Sequence, residues 1–95
     1  MSAALHIEKL MTLSRNEFLS ALGNVGGVEP AGQSWRARLA EGSVAITYTP
    51  QPSVRLGGLL DLPRAKITLE FQNADDAARK DFLQRFDLAF QRGGG

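Results

Sequence analysis

The chain contains no cysteine, which excludes a disulfide framework, a thiolate nucleophile and a thiolate-ligated metal. It has a single histidine, His6, so too few nitrogen and sulfur ligands exist for a conventional zinc site. A catalytic histidine needs a positioned partner, and nothing in the sequence provides one for His6. The sequence therefore predicts no metal site, no cofactor and no catalytic residue. We expect a protein that is not an enzyme, and the alternative is an enzyme with a substrate pocket between the glycine-rich loops.

Long apolar runs and an excess of charge of one sign are also missing. No stretch approaches the ~20 apolar residues that a membrane helix needs. The first residues lack the basic start and apolar stretch of a secretory signal. A net charge of +1 over 95 residues gives no strong attraction to nucleic acid. These observations predict one cytoplasmic domain over residues 1–95, with no membrane partner.

The first ordered element is predicted to be a short helix over residues 15–22. Ser14 and Glu17 have the spacing of a capping box, in which each side chain accepts a hydrogen bond from the other residue's backbone amide. Gly23 is expected to end the helix. Residues 1–12 alternate weakly and are interpreted as an arm or a short strand. The glycines and proline of residues 24–33 predict a loop.

A β-hairpin follows, with strict alternation on both sides of a predicted two-residue loop at Glu41-Gly42. This register places Leu39 opposite Val44, Ala37 opposite Ile46, and Trp35 opposite Tyr48. Pro50-Gln51-Pro52 is expected to end the second strand, and residues 53–56 to add a brief edge strand at most. A further strand over residues 65–71 has Ala65, Ile67, Leu69 and Phe71 pointing inward.

The last element is predicted to be an amphipathic helix capped by Asn73, with acidic residues in its first turn. Phe82, Phe86 and Phe90 recur every fourth residue and form one apolar stripe. Leu88 falls on the opposite side. Gly93 is expected to end the helix, which makes residues 93–95 a flexible tail.

Together these elements predict an α+β two-layer sandwich. Its sheet is antiparallel and three- to four-stranded, with two helices packed on one face and the order α-β-β-(β)-β-α. The other face of the sheet remains open to solvent or to a partner.

Apolar residues outside the predicted core give the main functional hypothesis, a small protein-interaction or accessory domain that associates with itself as a homodimer or with another protein. Leucines in a loop bounded by glycine and proline either fold back over the core or stay exposed for a partner. The candidate interaction surface consists of Leu59, Leu60, Leu62 and Leu88.

The open sheet face gives the alternative hypothesis, nucleic-acid binding. Arg36, Arg38 and Lys66 on this face could contact phosphate or another anion. A single-strand binder also needs aromatic stacking platforms. The predicted register puts Trp35, Tyr48 and Phe71 on the buried side instead.

Two resemblances add to this interpretation. The terminal Gly93-Gly94-Gly95 is similar to the glycine ends of ubiquitin-like sulfur carriers, which implies a third alternative, a glycine-tailed carrier protein. The segments Leu62-Pro63-Arg64, residues 82–87 and residues 90–95 resemble the C-terminal half of a group of small uncharacterised bacterial proteins. That second resemblance implies a bacterial origin and contributes no functional residue.

Overall fold

The computed structural model describes residues 5–58 and 60–94, with side chains described as far as Gln91. A single sheet carries two helices. Its elements follow one another along the chain as β1 (Leu5–Met11), α1 (Arg15–Val25), β2 (Val28–Ala31), β3 (Ser34–Arg38), β4 (Ser43–Leu56), β5 (Leu60–Gln72) and α2 (Asp76–Gly94).

The sheet is antiparallel throughout, with the spatial order β1-β5-β4-β3-β2. The α+β class and the pairing of an antiparallel sheet with two helices are confirmed. The described sheet has five strands instead of three or four. Residues 5–11 form β1, which is the short strand predicted there as the alternative to an arm, whereas β2 lies inside the predicted loop over residues 24–33.

Helix α1 begins as predicted but continues for three residues beyond the expected end. The Ser14 hydroxyl accepts from the Glu17 amide at 3.2 Å, and the Glu17 carboxylate accepts from the Ser14 amide at 2.8 Å. Gly23 does not end the helix. The helix runs on to Val25, whose side chain is buried, and burial of that side chain offsets the ~1 kcal/mol cost of a helical glycine. The turn out of the helix falls at Gly26, which has φ +86°.

The β3–β4 hairpin differs from its predicted register by two residues. Trp35 lies opposite Ile46 and Ala37 opposite Val44, and the connection is the four-residue segment 39–42. The Leu39 amide donates to the Gly42 carbonyl at 3.0 Å and closes this longer loop. Because side chains alternate with a period of two, a two-residue slip keeps every residue on its predicted face.

Strands β4 and β5 are both longer than predicted. Pro50 and Pro52 do not end β4, which continues to Leu56 with an irregularity between Gln51 and Val54. β3 pairs with β4 only as far as Ile46, so beyond that point one edge of β4 needs no backbone donors and tolerates proline. β5 begins at Leu60 instead of Ala65 and contains Pro63.

Helix α2 is capped by Asp75 and not by Asn73. The Asp75 carboxylate accepts from the Ala78 amide at 2.8 Å, whereas Asn73 has a left-handed backbone with φ +56°. Two ion pairs lie along the helix: Arg85 contacts Asp81 at 3.2 Å, and Arg79 contacts Asp76. The helix extends to Gly94, so Gly93 does not end it, and Gly95 lies outside the described residues.

The core lies between the helices and the inner face of the sheet. The predicted inward residues of β5 and the three phenylalanines of α2 are all buried. Phe86 has no exposed surface and stacks on Phe90 with 4.1 Å between ring centroids. The rings of Phe82 and Phe71 meet edge to face at 5.9 Å. This aromatic layer holds α2 on the sheet and leaves the opposite sheet face uncovered by the described helices.

Candidate interaction surface

Beyond the core, strands β4 and β5 continue as a two-stranded ribbon, defined here as residues 49–64. The last pairings of the neighbouring strands join Met11 to Ala65 and Trp35 to Ile46, so the ribbon strands pair only with each other. None of the core residues among the described positions lies in the ribbon. The molecule accordingly measures 50 Å along its longest axis and 24 and 23 Å across.

One side of the ribbon carries four apolar side chains in two cross-strand pairs. Val54 lies opposite Leu62, and Leu56 lies opposite Leu60. Leu56 and Leu60 are 50% and 53% exposed, and the other two are half-buried. Alternation along β5 places this quartet on the same side as Lys66 and Thr68, which is the helix-free side of the sheet. The quartet Val54, Leu56, Leu60 and Leu62 is called the apolar quartet below.

The opposite side of the ribbon is polar. Arg55 and Asp61 lie directly across from each other, and their side chains form an ion pair at 3.2 Å. At the tip, Gly57 and Gly58 both have positive φ, +64° and +73°, which glycine adopts without strain. The ribbon is therefore two-faced, with an apolar side and a charged side.

The predicted leucine surface is only partly brought together. Leu60 and Leu62 share the apolar quartet, Leu59 lies outside the described residues, and Leu88 is 63% exposed on α2. Sequence reasoning missed Val54 and Leu56. The signal that identifies them is the mirrored spacing of apolar residues around Gly57-Gly58, which is typical of a hairpin.

The predicted anion-contacting residues are on the helix-free face but far apart. Arg36 and Arg38 are exposed on β3, while Lys66 is on β5, two strands away and four positions along. These offsets separate the Cα positions of Arg36 and Lys66 by roughly 16 Å. Glu29 lies directly opposite Arg36 on β2 and offsets its charge. The three cations do not form one compact patch.

Strand β1 forms one edge of the sheet and carries its own charged pair. His6 Nε2 lies 3.0 Å from Glu8 Oε2 on the helix-free side. The hydrogen bond with His6, followed by the positive charge of Lys66, lowers the pKa of the Glu8 carboxyl below its ordinary value. Lys9 projects to the helix side and contacts Asp87 of α2 at 3.5 Å.

A shallow cleft of about 630 Å³ lies beside the start of α1, bordered by Arg15, Gln33, Tyr48 and neighbouring backbone. The Arg15 guanidinium lies 5.7 Å from the ring centroids of both Trp35 and Tyr48. These cation–π contacts give the arginine a structural role in joining α1 to β3 and β4.

The described part of the chain contains no cluster of side chains that could hold a metal ion. Across residues 5–58 and 60–94, no group of three or more His, Asp or Glu side chains is arranged to hold an ion. In the same part of the molecule, no helix has the length and hydropathy to cross a membrane.

Comparison with known protein families, with curated proteins and with solved structures finds no match to this chain.

Proposed function

We propose that this chain is a small protein-interaction domain that docks through the apolar quartet and also associates with itself. The observation that carries the proposal is the position of the quartet, on a ribbon that contributes nothing to the core. A two-stranded ribbon is at best marginally stable in water, and exposed apolar side chains at its tip cost solubility. Their presence on one side only is explained by a partner that covers that side.

The neighbouring charges indicate the chemistry of the partner. Arg64 and Lys66 follow Leu62 on the same side of β5, and alternation puts Asp61 on the other side. The apolar quartet is therefore bordered by cations towards the body of the domain. The partner surface that fits is an apolar protein segment flanked by carboxylates.

The test is selection of displayed random peptides on the immobilised protein. We expect the wild-type chain to enrich apolar peptides that carry acidic residues, and the variant Leu56→Ser/Leu60→Ser to lose this enrichment. The matched control, Arg55→Ser/Asp61→Ser, changes the other side of the same two strands and should keep it. Equal enrichment by all three proteins, or none by the wild type, would contradict the proposal.

Nucleic-acid binding through the helix-free face is the second candidate. It is supported by Arg36 and Arg38, which are both exposed and lie two residues apart on β3. Fluorescence titration with single-stranded and duplex oligonucleotides at two salt concentrations tests it, because phosphate-driven binding weakens as salt rises. Arg36→Ala/Arg38→Ala should weaken binding if this face is responsible. Absence of binding at low salt would eliminate the candidate.

A further inference from the structure

The two edges of the sheet differ in how well they resist pairing with another strand. β2 has only four residues and contains Pro30, which cannot donate to a ladder. β1 has seven residues and no proline, and among the described residues only β5 pairs with it. The outward backbone N–H and C=O groups of β1 are therefore a template for one more antiparallel strand.

In a homodimer, the strand that pairs with this edge is β1 of the second copy. Two identical antiparallel strands are related by a two-fold axis. When both copies keep their helices on the same side of the joined sheet, the axis passes midway between the two copies of one residue, called the central residue here. The choice of central residue then determines which side chains face each other. Centred on Ile7, the pairing extends from Leu5 to Lys9 in both copies.

Charge distinguishes the possible registers. With Ile7 at the centre, His6 of each copy lies opposite Glu8 of the other, so that an imidazole N–H faces a carboxylate acceptor in both pairs. With Glu8 at the centre, two carboxylates face each other, and with Lys9 at the centre two ammonium groups do. With His6 at the centre, only three described residues of each strand pair and the imidazoles oppose each other. Opposite charges across a strand pair stabilise it, and like charges destabilise it.

We propose that two copies of this chain associate edge to edge through β1, with the two Ile7 residues facing each other across the two-fold axis. The joined sheet then runs continuously through both molecules, with His6–Glu8 pairs on the helix-free side. This proposal rests on the self-association part of the proposed function and not on the apolar quartet.

The helix side of β1 is compatible with this register. Ile7 lies opposite Ile7 of the second copy, and Lys9 lies opposite Leu5 of the second copy. An inward-facing lysine on an edge strand discourages pairing. Here Asp87 already neutralises Lys9, and the register keeps the two lysines at opposite ends of the paired segment. The net charge of +1 adds little repulsion between copies.

The contact is small, so covalent trapping is the appropriate measurement. The chain has no cysteine, which allows single cysteines to report the register. Directly opposed Cα atoms in antiparallel strands lie about 4.5–5.5 Å apart, within the range for a disulfide. We expect Ile7→Cys to form a disulfide dimer at least tenfold faster than Lys9→Cys, whose cysteines would lie more than ~13 Å apart. Equal rates would overturn the proposal.

Charge exchange tests the same register independently, measured by the Ile7→Cys crosslinking rate. Glu8→Lys alone should slow crosslinking severalfold, and His6→Glu alone should do the same. The double exchange His6→Glu/Glu8→Lys places opposite charges across both pairs and should restore the rate, and failure to do so would overturn the register. Both positions are exposed, and thermal melts of each variant confirm that it is folded.

The ribbon variant Leu56→Ser/Leu60→Ser separates the two proposals. It should leave the crosslinking rate of Ile7→Cys unchanged while abolishing peptide selection. If sedimentation shows a dimer that this variant dissociates, and Ile7→Cys does not crosslink preferentially, the β1 proposal fails and docking through the quartet stands.

Discussion

Phe86 shows how one side chain joins the two layers. It has no exposed surface, stacks on Phe90 at 4.1 Å and lies 6.0 Å from the ring of Phe82. Three rings in one stripe fill the space between α2 and the sheet that several smaller side chains would otherwise fill. A loss in the middle of the stripe leaves a cavity that its rigid aromatic neighbours cannot close.

Replacing Phe86 by alanine should therefore cost about 3–5 kcal/mol of stability, a large part of the ~5–15 kcal/mol of a whole domain. Leu88→Ala is the matched control, two residues away on the exposed side of the same helix, and should cost less than about 0.5 kcal/mol. Urea unfolding at low protein concentration measures both. Similar losses for the two variants would contradict the assigned helix face.

At the scale of the element, two residues shape the start of α2, whereas the sequence indicates only Asn73. Asn73 reverses the chain with a left-handed backbone, and Asp75 satisfies the helix amide of Ala78. Asparagine suits both roles, which is why the sequence indicates Asn73 as the cap.

The two roles predict opposite responses to substitution. Asp75→Ala removes an N-cap acceptor and should cost about 1 kcal/mol. Asn73→Gly removes no cap and relieves a positive φ, so stability should be unchanged or slightly higher. Thermal unfolding of the two variants decides the assignment, and destabilisation by Asn73→Gly with none by Asp75→Ala would reverse it.

The periodic parts of the elements and the capped start of α1 could be predicted from sequence, whereas several other ends could not. The sequence places Ala37 and Ile46 on the inner face correctly, because side-chain parity survives even a two-residue register error. The end of α1 at Val25 and the continuation of β4 past Pro50 depend on what packs or pairs there, which local propensity does not encode.

The same distinction applies to the candidate site. Leu60 and Leu62 could be selected from sequence as apolar residues without a core position. Their partners Val54 and Leu56 become visible only once the strands are paired across Gly57-Gly58. The separation of Lys66 from Arg36 likewise depends on strand order, because β4 lies between their strands.

At the scale of the whole molecule, folding and candidate docking use different residues. The buried residues of the described chain all lie in the body, and none of them belongs to the ribbon. Substitutions in the ribbon can therefore alter binding without the loss of stability that accompanies changes in the body.

Removing the ribbon should leave a folded domain. Joining Pro50 to Ala65, which are paired opposite each other, through Asn-Gly replaces residues 51–64 by a two-residue hairpin turn. We expect a cooperative thermal transition within a few degrees of the wild type and a smaller radius of gyration than 14.1 Å by X-ray scattering. Loss of the transition would show that the ribbon contributes to the core.

The position of β1 beside β5 also affects the order in which the fold can form. β1 is the first described element, yet its only described partner is the last strand of the sheet. During synthesis this strand leaves the ribosome long before β5, and joining Met11 to Ala65 closes a loop of roughly fifty residues. The β2–β3–β4 meander needs only short connections, so we expect it to form before β1 pairs. Until β5 emerges, both edges of β1 are unsatisfied, so the nascent chain is most exposed to mispairing at its N-terminal strand.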